Sequence, residues 1–303
     1  MKKIAFLLAA LMLLTAGLAG CGGSDGAGAG TPDNSQADAQ APTDAGSSDA
    51  KDSGADADAG ADAAGEGAVD RIKAAGKIVM LTNAQFPPFE YTDDAGNPVG
   101  VDPDLAQAIA DELGVELEIV DMDFDGLVDA LKANKGDFIA AGFTISEERM
   151  KEVDFSVEYV TSAQMVVIPK GSDLAADDAA LSGKTISVQE GTTGDFYASG
   201  DQDMTSSTIA DANVLRFKSG IEAGMAVASG KADAMIIDEL PATKIVEAQS
   251  DTLELLPTKL TDEQYAFAVN KGCEDLLEVI NKVLGDMAAN GKVDELVNTH
   301  MGV

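Results

Sequence analysis

Two stretches of this chain, LKANKGDFIAAG from Leu131 to Gly142 and VASGKADAMIID from Val227 to Asp238, correspond at an offset of 96 residues. Each carries a helix end, a lysine, a small residue, an aspartate and then an apolar run of strand length. A recurring helix-to-strand passage marks a chain that alternates helices and strands, with the strands side by side in a sheet and the helices covering it. Two copies this far apart predict two similar α/β lobes. On the shared register Gly142 and Asp238 occupy equivalent places, each just past the carboxyl end of a strand, where open α/β sheets bind ligands.

The surrounding pattern predicts the same alternation. Strands are expected at Lys77 to Leu81, Leu117 to Val120, Phe138 to Ala141, Gln164 to Ile168, Thr185 to Val188, Val214 to Phe217, Ala234 to Ile237 and Tyr265 to Val269. Asp102-Pro103 reads as an N-cap followed by an N1 proline, for a helix that ends at Gly114 with Leu105, Ile109 and Leu113 on one face. Asp125 reads as the cap of a helix through Leu127, Val128 and Leu131. Further helices are expected after Gly194, from Gly220 to Ser229, after Asp238, from Glu274 to Asn290 and from Val293 to Thr299.

Composition removes several function classes. The formal net charge is −33, which argues against nucleic acid or anionic lipid as a partner. The single histidine, His300, leaves almost nothing from which to build a Ser-His-Asp triad or a histidine-rich metal site, and no cofactor is implied. The two cysteines are Cys21 and Cys273.

The N-terminus reads as a lipoprotein signal peptide, residues 1–20. Lys2 and Lys3 precede an uncharged apolar run from Ile4 to Leu14 that is short for a membrane span. Leu18-Ala19-Gly20-Cys21 resembles a bacterial lipobox, which implies cleavage before Cys21 and a lipid anchor on its sulfur. Residues 21–68 then form an acidic tether without an aromatic residue, in which nine Asp and Glu66 face the lone Lys51. Such a segment cannot bury enough apolar surface to offset its ordering entropy, so it is expected to be disordered. These readings place the protein outside the cytoplasm, anchored to the membrane without spanning it.

The chemistry concentrates in GFTISEERMKEVDFS, Gly142 to Ser156. Arg149 lies there beside small hydroxyl residues, an arrangement suited to a ligand carboxylate. The competing reading pairs Arg149 with Glu147, Glu148, Glu152 or Asp154 on its own short helix. Asp238 likewise has two readings, a partner for a ligand cation or a cap for the helix that follows.

Together with that run, NAQFPPFEY (Asn83 to Tyr91), GVDPDLAQAIADELG (Gly100 to Gly114), MDFDGLVDAL (Met122 to Leu131) and VQEGTTGDF (Val188 to Phe196) occur in the order found in bacterial extracellular solute-binding proteins of family 3. The chain resembles these receptors of polar amino acid ABC transporters over essentially all of residues 70–303. The resemblance implies an α/β, two-lobed periplasmic-binding-protein-like (type II) fold with a hinge and an inter-lobe ligand cleft. Lobe 1 would be residues 70–162 plus 263–303 and lobe 2 residues 163–262, with hinge strands near Tyr159 to Gln164 and Leu260 to Gln264.

It also implies a ligand set. Arg149 would grip the α-carboxylate of an amino acid, aided by Thr144 and the amide of Thr193, while Asp238 and the Gly142 carbonyl would take the α-ammonium. Phe86 and Phe124 would wall the side chain, with Phe89 left to the core. Asn83 stands where several relatives carry Asp, and Gln189 where some carry a charge. The side-chain end therefore reads as polar but uncharged, which leans away from Lys, Arg, Asp and Glu as ligands. The implied protein is a monomeric receptor, not an enzyme, that hands a free amino acid to permease subunits. The competing class is a cyclohexadienyl or arogenate dehydratase-like enzyme on the same fold, for which Asp195 and Glu190 are the available carboxylates.

Overall fold

The computed structural model describes residues 67–200 and 209–303. The expected signal peptide, Cys21 and the tether up to residue 66 lie outside the described residues. Helix α1 (Ala68–Ala75) ends on Gly76, whose left-handed backbone lets its N–H reach the Lys73 carbonyl. Strand β1 (Lys77–Thr82) follows, then a small antiparallel sheet of β2 (Gln85–Phe86), β3 (Glu90–Thr92) and β4 (Pro98–Val99).

Helix α2 (Val101–Leu113) stops where the sequence predicts, on a left-handed Gly114 that bonds the Ala110 and Asp111 carbonyls. Its start differs. Gly100 is the N-cap, and Asp102 lies fully buried within the first turn. The Asp102 carboxylate accepts from the Gly142 amide at 2.8 Å and the Tyr159 hydroxyl at 2.6 Å, so interior donors claim the group that was expected to cap. Pro103 is accommodated because helical N–H groups in the first turn have no intrahelical acceptor.

Strand β5 (Glu116–Asp121) leads to a 3₁₀ turn over Phe124–Gly126 and to α3 (Leu127–Lys132). Asp125 does not cap α3; its carboxylate instead meets Lys218 Nζ at 3.0 Å. After β6 (Phe138–Ile139), α4 (Glu147–Glu152) and β7 (Val153–Phe155), the chain passes through β8 (Val160–Ser162). It then builds β9 (Gln164–Pro169), α5 (Asp178–Leu181), β10 (Thr185–Gln189), α6 (Thr193–Ser199), β11 (Asn213–Phe217), α7 (Gly220–Ala228), β12 (Ala234–Asp238), α8 (Glu239–Ala248) and β13 (Leu253–Leu255). It returns through β14 (Glu263–Tyr265) to β15 (Ala268–Asn270), α9 (Glu274–Ala289) and α10 (Lys292–Met301).

Two five-stranded sheets of one plan result, ordered β5-β1-β6-β15-β7 and β11-β10-β12-β9-β13. In the first, β1 is parallel to β5 and β6, and β15 runs antiparallel to β6 and β7. In the second, β10 is parallel to β11 and β12, and β9 runs antiparallel to β12 and β13. The repeated segments occupy the same place in each. Asp137 exchanges two 2.8 Å bonds with the Val79 backbone, its N–H to the carbonyl and its carboxylate from the amide. Asp233 makes the same pair with Thr185, also at 2.8 Å. The recurring aspartate thus satisfies a backbone amide on the neighbouring strand.

The passages between sheets are β8 and β14, paired antiparallel with Glu263 opposite Ser162 and Tyr265 opposite Val160. The single strand expected over Tyr265 to Val269 is therefore two. Between them, Ala266 donates to the Phe143 carbonyl at 3.1 Å and Phe267 to the Ser156 hydroxyl at 2.9 Å, so both leave the ladder. Under the first sheet Leu105, Ile109, Phe138, Phe267, Ile280 and Leu284 are fully buried, and Val166, Ile186, Val188 and Ile236 are buried in the second. Each such side chain contributes about 1.5 to 3 kcal/mol. The end of α10 is tied down by His300, with Nε2 3.0 Å from Asp104 and Nδ1 3.2 Å from the Tyr91 hydroxyl. No helix among the described residues is long and apolar enough to cross a membrane.

The entry to α2 yields a stability test. Gly100 has φ 140° and ψ −173°, a region reserved for glycine, and a Cβ there would lie 2.2 Å from the Phe89 carbonyl oxygen. Gly100→Ala is expected to destabilise the fold by at least about 1 to 3 kcal/mol in urea denaturation. An unchanged unfolding midpoint would refute this account of the turn.

Candidate functional site

Four equivalent strand ends converge on one cleft. Asn83 follows β1, Gly142 lies beyond β6, and Gln189 and Asp238 are the last residues of β10 and β12. Phe86, Phe124, Gly142, Thr144 and Arg149 from the first lobe line a narrow cavity together with Gln189, Thr193 and Asp238 from the second. Thr192 completes the lining. Eight of the nine sequence-predicted binding residues therefore meet round one space. The ninth, Asn83, is buried behind the lining, where its Oδ1 accepts from Gln189 Nε2 at 3.0 Å and its own Nδ2 donates to the Met122 carbonyl at 2.7 Å.

Arg149 is placed by a short helix with a clear start signal. Ser146 caps α4 by accepting from the Arg149 amide at 3.2 Å, and Glu147 and Glu148 favour its positive end. The guanidinium is buried. Nη1 donates to the Thr144 carbonyl at 2.8 Å, and Nη2 reaches across the cleft to the Gly191 carbonyl at 3.1 Å. Its carbon lies 4.1 Å from the centroid of Phe143 and 5.4 Å from that of Phe124, which adds cation–π attraction. The acids that could have neutralised it locally are taken: Glu148 pairs with Lys151, Glu152 with Lys132 and Asp154 with Lys271. No carboxylate among the described residues forms an ion pair with Arg149. Burial pushes its pKa down to about 10, against the opposing pull of Glu263 and Asp238.

Gly142 occupies a left-handed backbone position, φ 52°, and a Cβ would fall 2.8 Å from the Phe86 ring. Only glycine fits, and the aromatic wall closes directly over it. Its amide is held by Asp102, whose carboxyl burial pushes up to about 6. Glu90, also fully buried, is held well above the usual carboxylate range by burial and by Asp102. Phe89 is fully buried and stacks against Phe86, as expected of a core ring.

Asp238 begins α8 without a side-chain capping bond. Its Oδ1 accepts from the Tyr265 hydroxyl at 2.6 Å. Burial, and then Glu263, push its pKa up to about 7. Thr193 opens α6, with its hydroxyl donating to Glu263 Oε2 at 3.1 Å and accepting from Gln164 Nε2 at 3.0 Å. Thr192 caps the helix by accepting from the Asp195 amide at 3.2 Å. Asp195 itself is buried against Arg216 Nε at 2.9 Å and the Gly191 amide at 3.1 Å. Glu190 pairs outward with Lys218 at 2.9 Å. Neither carboxylate is presented to the cavity.

Sequence reasoning missed several groups round this cleft. Phe143 was hidden within the Gly142 to Ser156 run, although an aromatic residue six positions before an arginine of α4 could have been tested as its ring partner. Glu263 was expected only in a hinge strand and Tyr265 at the start of the strand after it, whereas both lie two apart on β14, a spacing that puts them on one face. Lys218 of the second lobe, 3.5 Å from Asp123 and 3.0 Å from Asp125 of the first, had no local signal. Among the described residues no cluster of His, Cys, Asp and Glu could hold a metal ion.

Comparison with known proteins fits this geometry. The chain is 32% identical to the L-arginine-binding protein of Pseudomonas aeruginosa over 74% of its own length and 87% of that protein's. The crystal structure of a mutant of ArgBP from T. maritima is 42% identical, superposes with a TM-score of 0.71, and covers 78% of this chain and 100% of that one. An ancestral arginine-binding protein bound to glutamine is 37% identical, with a TM-score of 0.67 over 75% of this chain and 99% of its own; the same kind of protein is solved bound to arginine. These relatives are binding proteins rather than enzymes. Residues 78–303 match the model of the family throughout, and the chain belongs to the bacterial extracellular solute-binding proteins, family 3.

Proposed function

We propose that this protein captures a free α-amino acid with an uncharged polar or small side chain between its lobes and delivers it to the permease subunits of an ABC importer. The observation that carries the reading is the buried Arg149 guanidinium, which lines the cavity with no carboxylate of its own. A buried charge without a counter-ion is costly, and a ligand carboxylate supplies the missing partner. Thr144 and the amide of Thr193 add donors on that side. Asp238 and the Gly142 carbonyl receive the ammonium, and Phe86 and Phe124 flank the side chain. The Asn83–Gln189 bond, neutral and mutually satisfied, supports an uncharged side chain.

Closure follows from the division of these groups. Lobe 1 takes residues 70–162 plus 263–303 and lobe 2 residues 163–262, with β8 and β14 as the hinge strands, a division supported by the membership of the two sheets. One amino acid bridging Arg149 and Asp238 then holds the lobes together. Cleavage before Cys21, a lipid on its sulfur and the acidic tether complete a monomeric receptor held near its permease.

A second reading has its own observation. Asp123, Asp125 and Glu190 surround the single Lys218, whose backbone carbonyl accepts from Gln189 Nε2 at 3.2 Å, so an acidic excess borders the side-chain end. A long cationic side chain such as that of arginine would share those carboxylates with Lys218. Thermal-shift screening of the twenty amino acids and cystine, on protein refolded without ligand, separates the readings, because binding stabilises the fold by mass action. A neutral polar amino acid is expected to raise the melting temperature most. Arginine as the strongest binder, with affinity that rises in Lys218→Ala, would establish the cationic reading instead.

Arg149→Ala is expected to cost about 2 to 5 kcal/mol of binding free energy while leaving the melting temperature of the ligand-free protein nearly unchanged. Tight amino acid binding by that variant would sink the assignment. Binding should also depend on pH, because an ammonium requires Asp238 ionised and its pKa is raised to about 7. Affinity is therefore expected to hold above pH 7 and to fall as pH drops below it, read by isothermal titration calorimetry between pH 5.5 and 8.5.

A further inference from the structure

Asp238 does not stand alone at the cationic end of the cleft. Glu263 and Tyr265 are the first and last residues of β14, two apart, so their side chains project from one face of the strand. That face is turned toward the end of β12, as the 2.6 Å bond from the Tyr265 hydroxyl to Asp238 fixes. Glu263 is 3% exposed. Both of its oxygens are held, Oε1 by the Thr261 hydroxyl at 2.6 Å and Oε2 by the Thr193 hydroxyl at 3.1 Å. Thr193 lines the cavity, so one hydroxyl separates the Glu263 carboxylate from the ligand space.

The charges around this pair are few. Arg149 of α4 faces both carboxylates and is drawn by each. Tyr265 of β14 and Gln164 of β9 offer neutral polar groups, and Glu90 of β3 feels Asp238 from farther off. Glu239, next along α8, is turned to Lys259 at 3.0 Å and adds nothing to the interior. Two buried acids therefore share one cation, and like charges in such surroundings do not both ionise without cost.

We infer that Glu263 is a positioning residue of the binding cleft, which orients Thr193 at the start of α6 and, by its place beside Asp238, couples capture of a ligand ammonium to loss of a proton from Asp238. The inference rests on the amino acid-binding reading. In the empty cleft burial and the neighbouring Glu263 push Asp238 up to about 7, so Asp238 is partly protonated near neutral pH. An arriving ammonium favours ionised Asp238, and the proton leaves to solvent. Glu263 touches no ligand; it acts through Thr193 and through the charge it places beside Asp238, consistent with its raising Asp238.

The test measures protons as well as affinity. Wild type and Glu263→Gln are titrated with L-glutamine, L-arginine and L-cystine in parallel series at pH 5.5 to 8.5, in buffers of different ionisation enthalpy. For the wild type, a net release of protons on binding is expected between about pH 6 and 7. Glu263→Gln keeps the shape and the Thr193 contact but removes the charge, so the pH at which affinity falls is expected to move down and proton release at pH 6.5 to shrink. Wild-type binding with no proton release across the range would overturn the inference without needing the variant, and so would an unchanged pH midpoint in Glu263→Gln. If wild type binds none of the three ligands and no other amino acid in the screen, the binding reading itself fails.

Discussion

The arrangement of this protein turns on a guanidinium held away from water with no carboxylate in contact with it. Arg149 rests on two carbonyls and two aromatic rings, which satisfy its hydrogen bonds and contact its faces while leaving its charge uncompensated at close range. Nearby acids exist in abundance, but Lys132, Lys151 and Lys271 take them on the surface. A protein with so large an acidic excess keeps one interior cation clear of carboxylate contact.

The negative side of the cleft is buffered differently. Acids come there in buried couples, Glu90 with Asp102 and Asp238 with Glu263, and in each couple burial and the neighbouring carboxylate raise one member, Glu90 in the first and Asp238 in the second. Tyrosine hydroxyls cap both, Tyr159 on Asp102 and Tyr265 on Asp238, and these tyrosines border the strands that join the lobes. The first couple shapes the backbone, since Asp102 holds the amide of Gly142. The second faces the ligand space.

Much of this was legible in the sequence, for reasons that differ by residue. The lobes were readable because the passage Leu131 to Gly142 recurs at Val227 to Asp238 and its aspartates make identical bonds. Arg149, Asp238 and Gly142 were readable because they fall at strand ends or within a distinctive run. Asp102 was misread because an aspartate before a proline carries the same signal whether it caps a helix or turns inward to a glycine amide. Asp125 was misread for a similar reason, its partner Lys218 lying far along the chain. Glu263 and Tyr265 stayed hidden because only the pairing of β14 with β8 brings that strand against the end of β12. Local pattern reports what a residue's neighbours in sequence allow, and these groups answer to neighbours in space.

The duplicated turn separates scaffold from recognition. Asp137 and Asp233 fasten their strands through backbone groups alone, so the clasp is indifferent to which side chains come after it. Five residues later the copies diverge completely, into a glycine pinned under Phe86 and a carboxylate under Tyr265. Variation at those termini changes the lining of the cleft while leaving the fastening intact. A lineage of such proteins can therefore explore new solutes at the strand tips without reopening the question of how each half folds.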